Sequence, residues 1–279
     1  MKRVPLLPNL ITAFGLSCGL FVIFKMALAP PGAANYAEMM SAVAILLLAA
    51  FADVLDGAVA RALKGQSYFG GIFDSMADSI SFGVAPAVVV LKSLSVPAGT
   101  ELSYLITTAA MVFSVCGVLR LVRFNCSSFD EPAIEEEGAK KNFTGLPIPA
   151  AAAAAVSADL FLISPDFHRL TVLSMEARAF FMFAVLILLG YLMISRWKFP
   201  AFKALHIRVS SFQMVFITAM TAVFMFYGIL YHFAVAVFIL AWAYVGVSFS
   251  LSLLRYMAGP KLETLAEFEP EPYDLEEFE

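Results

Sequence analysis

The chain has 279 residues, 61% of them hydrophobic and only 14% charged, with a formal net charge of −4. That balance excludes an ordinary soluble domain, where about a quarter of residues carry charge. The acidic sign is also local: residues 263–279 hold eight of the 22 acids and no bases, leaving 18 bases against 14 acids elsewhere. No nucleic-acid partner is expected.

Apolar runs of 18 residues or more recur along almost the whole chain, the mark of membrane-spanning helices. Eight spans are expected, near 9–29, 36–62, 72–94, 102–122, 147–164, 178–195, 211–230 and 233–256. The predicted fold is all-α: a polytopic membrane helical bundle with a six-helix core over 1–195 and two additional C-terminal transmembrane helices over 211–256. Lys2-Arg3 followed by an apolar stretch and Ala27-Leu-Ala29 imitates a cleaved signal peptide. The run is long, however, and holds Asn9 and Thr12 at its start, so an uncleaved first helix is expected. Cys18, Cys116 and Cys126 match no metal spacing and read as packing residues.

Orientation follows from the bases that flank the spans. One side collects 14 of them, from Lys2 and Arg3 through Arg61, Arg120 and Arg123 to Lys261; the other has Lys25, Lys92, Arg169 and Arg178. Both termini are therefore expected in the cytoplasm of a cell membrane. The connection 196–210 reads either as an interfacial helix or as simple flanking charge. Residues 257–279 read as an acidic, disordered tail.

Four acids fall inside this apolar pattern. Asp53 and Asp56 close the second span, and Asp74 and Asp78 open the third. A carboxylate at bilayer depth costs roughly 2.5–3.5 kcal/mol, so the four together approach about 10–14 kcal/mol before their mutual repulsion. A cation must belong to the site, and Arg61 alone is too little. At 100° per residue, Asp53, Asp56, Gly57 and Ala60 share one arc, with Arg61 at its edge; Gly70, Asp74, Asp78, Ser81 and Ala85 share another. Joined by a turn at Lys64-Gly65-Gln66, the two faces can oppose each other. Such a carboxylate cage suits Mg²⁺ or Mn²⁺, with Ca²⁺ a further candidate. Two ions per site would clamp a phosphoryl group, and a carboxylate at the edge can take a proton. An ion pathway of a membrane cation transporter is the alternative.

The pattern Asp-x2-Asp-Gly-x2-Ala-Arg-x8-Gly-x3-Asp-x3-Asp, from Asp53 to Asp78, resembles the complete signature of the CDP-alcohol phosphotransferase family. The resemblance implies transfer of a phosphate-bearing moiety from a CDP-linked lipid or alcohol to a hydroxyl, with release of CMP. It makes Asp53, Asp56 and Asp74 metal ligands, and Asp78 both a ligand and the catalytic base. Gly57, Ala60, Arg61 and Gly70 would line the CDP diphosphate pocket. Aspartate-rich membrane prenyltransferases place their two acidic motifs much farther apart.

Three further stretches resemble the phosphatidylserine synthase branch of that family: Pro8-Asn9-Leu-Ile-Thr12, Arg120-Leu-Val-Arg123-Phe124-Asn125, and Phe143-Thr144-Gly145-Leu146-Pro147-Ile148-Pro149. The branch implies CDP-diacylglycerol and L-serine as substrates, with a homodimer in the lipid bilayer. Asn9 and Thr12 would face the CDP side. Arg120, Arg123, Asn125 and Thr144 would bind the acceptor or a lipid phosphate, since an arginine fork suits either anion. The alternative acceptors are glycerol phosphate, inositol phosphate or another alcohol. Spans 211–256 add Phe- and Met-rich surface for lipid, protomer packing or a dimer.

Overall fold

The computed structural model describes residues 6–29, 35–63, 67–130, 143–171, 173–199 and 227–258. Among them, six helices are long and apolar enough to cross a membrane. They are α1 (Leu6–Leu28), α2 (Tyr36–Ala62), a rod over Tyr68–Leu94, α5 (Glu101–Asp130), α8 (Met175–Ile194) and α9 (Phe233–Ala258). The rod divides into α3 (Tyr68–Asp78), a π turn (Ser79–Val84) and α4 (Ala85–Leu94). A shorter apolar helix, α6 (Ile148–Leu162), is followed by the lateral α7 (Pro165–Leu170). These match the expected spans to within a few residues, except that α5 runs past 122 to Asp130. Of the seventh expected span only 227–230 is described. The turn at 64–66, residues 131–142, most of the connection 196–210 and the acidic tail also lie outside the described residues.

Helix starts are capped by side chains that satisfy the free N–H groups of a first turn. Asn35 accepts from the Glu38 amide at 2.9 Å, Ser67 from the Gly70 amide at 3.0 Å, and Ser174 from the Ala177 amide at 3.2 Å. The π turn has a covalent cause. Pro86 has no N–H to return to the Phe82 carbonyl, so the ladder is reset around it. Ala85 donates instead to the Ile80 carbonyl, five residues back. The wider turn begins immediately after Asp78 and carries the buried Ser81.

The bundle is organised around α6. With 15 residues it is only about 22 Å long, shorter than a full crossing. Its alanine run lets neighbours approach closely, as small residues do between membrane helices. Ala151, Ala152, Ala154, Ala155 and Ala158 are all buried. It packs against α2, α4, α8, α9 and the π turn. Helix α9 shares this core: the Trp242 indole donates to the Ala154 carbonyl at 3.1 Å, and Phe238 stacks on Phe161 at 4.6 Å. A two-rung antiparallel ribbon pairs Phe143 with Phe199 and Thr144 with Lys198. It ties the entry of α6 to the exit of α8.

Polar groups gather at the two ends of the bundle. Opposite the aspartates, Lys92 donates to the Ala29 carbonyl at 2.8 Å, and His232 sits 2.9 Å from Asp166. Deeper, fully buried Asp159 on α6 pairs with Arg178 on α8 at 2.8 Å, and Ser93 on α4 also bonds to that guanidinium. Asp159 Oδ2 and Arg178 Nε have no further hydrogen-bond partner. Removing one partner of such a pair strands a buried charge, whereas replacing both with apolar groups does not. Arg178→Met is therefore expected to destabilise the purified protein by about 3–5 kcal/mol. The double change Asp159→Leu/Arg178→Met should recover most of that loss, read by chemical unfolding in detergent.

Candidate active site

Helices α1, α2 and α3 meet because α1 carries glycine where they cross. A Cβ at Gly15 would sit 3.6 Å from both the Ala49 carbonyl and Ala52 Cβ, an ordinary contact. A Cβ at Gly19 would come within 2.7 Å of Ser81 Cα in the π turn. Only glycine allows that approach, and the spacing Gly15-x3-Gly19 is the small-x3-small signal of close helix packing. The approach frames a narrow, open cleft lined by Thr12 and Gly15 of α1, Asp53 and Asp56 of α2, and Asp74, Asp78 and Ser81 of the rod.

Asp53, Asp56 and Asp74 each turn a carboxylate oxygen inward, all within 4.8 Å of one another. At that separation two ionised carboxylates repel by roughly 3 kcal/mol with an effective dielectric of 20. Asp56 is buried, and its neutral relief comes from Thr12, whose hydroxyl lies 2.5 Å from Asp56 Oδ2 and 3.1 Å from the Pro8 carbonyl. One hydroxyl proton serves one acceptor, and the shorter contact to the carboxylate is the stronger. Among the described residues, no lysine or arginine forms an ion pair with any of the four aspartates. Three hard oxygen donors converge without a protein cation, and that donor set fits an oxygen-seeking divalent ion. Asp78 lines the same cleft beside this trio.

The remaining predicted residues fall into two groups. Arg120 of α5 is buried at 8% exposure, interacts electrostatically with Asp78, and leaves its Nε without a hydrogen-bond partner. Gly57, Ala60, Arg61, Asn9 and Gly70 lie outside the cleft lining. The exposed Arg61 folds back over Gly57, whose added Cβ would stand 3.3 Å from Arg61 Nη1. Asn9 Oδ1 lies beside Gly70, 3.1 Å from where a Cβ would be.

On the α5 side, Arg123 donates to the Ile194 carbonyl at 2.8 Å and to the Thr144 carbonyl at 3.2 Å. It clamps the loop that enters α6. Gly145 turns that loop at φ +77°, and a side chain there would strike the Met193 carbonyl and Arg123. Asn125 pairs its amide with Ser75, next to Asp74, at 3.0 Å, and so joins α5 to α3. Ser75 and Gly19 were not singled out from the sequence. The four-residue spacing of Gly15 and Gly19 is the signal that marks the second.

A family model described as CDP-alcohol phosphatidyltransferase matches residues 5–172. The CDP-diacylglycerol–serine O-phosphatidyltransferase of Helicobacter pylori is 34% identical over 215 residues, covering 76% of this chain and 79% of the relative. The archaetidylserine synthase of Methanothermobacter thermautotrophicus is 35% identical over 196 residues, 70% of this chain and 69% of its own. The CDP-diacylglycerol–serine O-phosphatidyltransferase of Bacillus subtilis is 32% identical over 197 residues, 71% of this chain and 91% of its own.

The two glycines make a paired prediction. Gly15→Ala should be close to neutral, because its Cβ meets only ordinary contacts. Gly19→Ala should cost about 1–3 kcal/mol of stability through overpacking and lower turnover by displacing the turn that follows Asp78. Chemical unfolding and transferase assays on the two variants check both.

Proposed function

The chain belongs to the CDP-alcohol phosphatidyltransferase family, and on that premise we propose that it transfers the phosphatidyl group of CDP-diacylglycerol to the hydroxyl of L-serine, releasing CMP. The observation that carries the chemistry is the convergence of Asp53, Asp56 and Asp74 within 4.8 Å in a cleft that also holds Asp78. The acceptor reading draws on the relatives. Those from two bacteria and one archaeon are named for serine, while the lipid in the name changes.

In this reading Asp53, Asp56, Asp74 and Asp78 hold two divalent cations, Mg²⁺ or Mn²⁺ with Ca²⁺ a further candidate. When bound, such cations supply the positive charge that neutralises the diphosphate. Asp78 takes the proton from the serine hydroxyl. The oxygen then attacks the phosphorus that bears the diacylglycerol, forming the new P–O bond as the bond to the departing CMP phosphate breaks. CMP leaves with that electron pair, and the proton passes from Asp78 to solvent. The guanidinium of Arg61, exposed at the rim over Gly57, is suited to the diphosphate, with Asn9, Ala60 and Gly70 beside it. Thr12 holds Asp56.

Arg120 is the stronger candidate for the serine carboxylate. It neighbours Asp78 and keeps an unpartnered Nε, whereas Arg123 is engaged by backbone carbonyls. Asn125 and Thr144 support the α3 and α6 sides of that pocket. The distribution of bases supports a cytoplasmic site in the cell membrane. The reading includes a homodimer, for which native mass spectrometry from detergent is the measurement.

Purified protein given CDP-diacylglycerol, Mn²⁺ or Mg²⁺ and a panel of alcohols should release CMP with L-serine. Release only with glycerol 3-phosphate or an inositol phosphate would replace the acceptor. Asp78→Asn is expected to lower kcat by about 10²–10⁴-fold while CDP-diacylglycerol still binds. Normal turnover in that variant would remove Asp78 as the base.

A further inference from the structure

Helix α3 carries two of the four aspartates, yet little of it is packed. Of its 11 residues Ala77 alone is buried. Tyr68, Phe69 and Met76 are exposed. An apolar face turned to lipid does not fix a helix, because lipid tails pack as well against a slightly rotated one. The placement of Asp74 must therefore come from ties on the flanks of α3.

At 100° per residue Asp74 and Asp78 lie about 40° apart, with Gly70 on one flank and Ser75 on the other. The Gly70 flank meets α1, where Asn9 Oδ1 stands 3.1 Å from the site of a Cβ. The Ser75 flank meets α5. There the Asn125 amide donates to Ser75 Oγ at 3.0 Å in a partly buried contact. The Ser75 hydroxyl in turn lies 3.1 Å from the Gly71 carbonyl and 3.2 Å from Asn125 Oδ1. Ser79 donates to the Ser75 carbonyl at 2.7 Å, which carries the network into the π turn after Asp78. Asn125 reaches α3 because α5 continues past 122, where its apolar run ends, to Asp130. That extension is not needed to span a membrane.

We propose that Ser75 and Asn125 are positioning residues for Asp74: their bond clasps α3 to the extension of α5 and keeps the Asp74 carboxylate within reach of Asp53 and Asp56. This rests on the reading of that trio as a divalent-cation site. Ionised carboxylates within 4.8 Å of one another repel. A thinly packed α3 is the element that yields to such repulsion, and the clasp limits its movement. Hydrogen bonds that orient metal-binding carboxylates typically change affinity by about 10–100-fold. Ser75 acts one residue from Asp74, so the lower end applies.

The test uses the full chain in detergent. Ser75→Ala removes the hydroxyl and keeps a strong helix former; Asn125→Ala removes the amide. Each should weaken Mn²⁺ binding about tenfold by electron paramagnetic resonance, and excess Mn²⁺ should restore kcat. At saturating Mn²⁺ the serine KM should stay within about twofold of the wild type. The thermal midpoint of the metal-free protein should not move. Because both variants break one bond, the double variant should add little to the larger single effect. Without metal, hydrogen exchange of the α3 amides should quicken about tenfold in each variant, while that of α2 stays unchanged.

Undiminished Mn²⁺ affinity in both variants would overturn the proposal. So would a raised serine KM in Asn125→Ala with Mn²⁺ affinity intact, which makes Asn125 an acceptor ligand. A lower metal-free thermal midpoint with faster exchange throughout the bundle marks a purely structural role and has the same force. A wild type that binds no Mn²⁺ would sink the cation reading alone. Exchange of the α3 amides then still decides the clasp, and unchanged exchange would overturn it.

Discussion

Charge buried at membrane depth must be compensated, and in this protein the compensation is divided. At one end of the bundle Asp159 meets Arg178 directly at 2.8 Å, and the pair is complete within the chain. At the other end three carboxylates crowd within 4.8 Å, and among the described residues no lysine or arginine is paired with them. Thr12 gives Asp56 a hydrogen bond at 2.5 Å. The first arrangement is a structural ion pair; the second is a donor set compatible with a divalent cation. The difference separates a structural ion pair from a site that recruits phosphate chemistry.

The backbone is shaped to make that crowding reachable. Pro86 resets the helical ladder and widens the turn after Asp78, and Gly19 makes room for the displaced Ser81. The short alanine-rich α6 draws α2, α4 and α8 inward. Arg123 then pins the loop into α6 against the end of α8, while the buried Arg120 interacts electrostatically with Asp78. One side chain at the wrong glycine would open the cleft.

Most of this was legible in the sequence wherever a simple period carried it. The long apolar runs located the helices, and the 100° rotation of a helix placed Asp53 and Asp56 opposite Asp74 and Asp78. What escaped depended on contacts between segments far apart in the chain. Arg120 and Arg123 look equivalent as letters three apart, yet one is buried beside Asp78 and the other binds two carbonyls of a distant loop. Gly57 read as part of a nucleotide notch, and its missing Cβ also seats Arg61. The π turn is visible only once the missing N–H of Pro86 is traced through the helix, and the Asp159–Arg178 pair only once α6 and α8 are packed side by side.

If divalent cations hold the four carboxylates together, Mn²⁺ must bind where no protein cation does. Electron paramagnetic resonance of Mn²⁺ titrated into the purified full-length chain measures this directly. Two ions per chain should lose their free six-line signal in the wild type, and Asp53→Asn/Asp74→Asn should leave the signal free while the protein stays folded. A wild type that leaves Mn²⁺ and Mg²⁺ unbound at saturating CDP-diacylglycerol, or a variant that binds them undiminished, would contradict the cage.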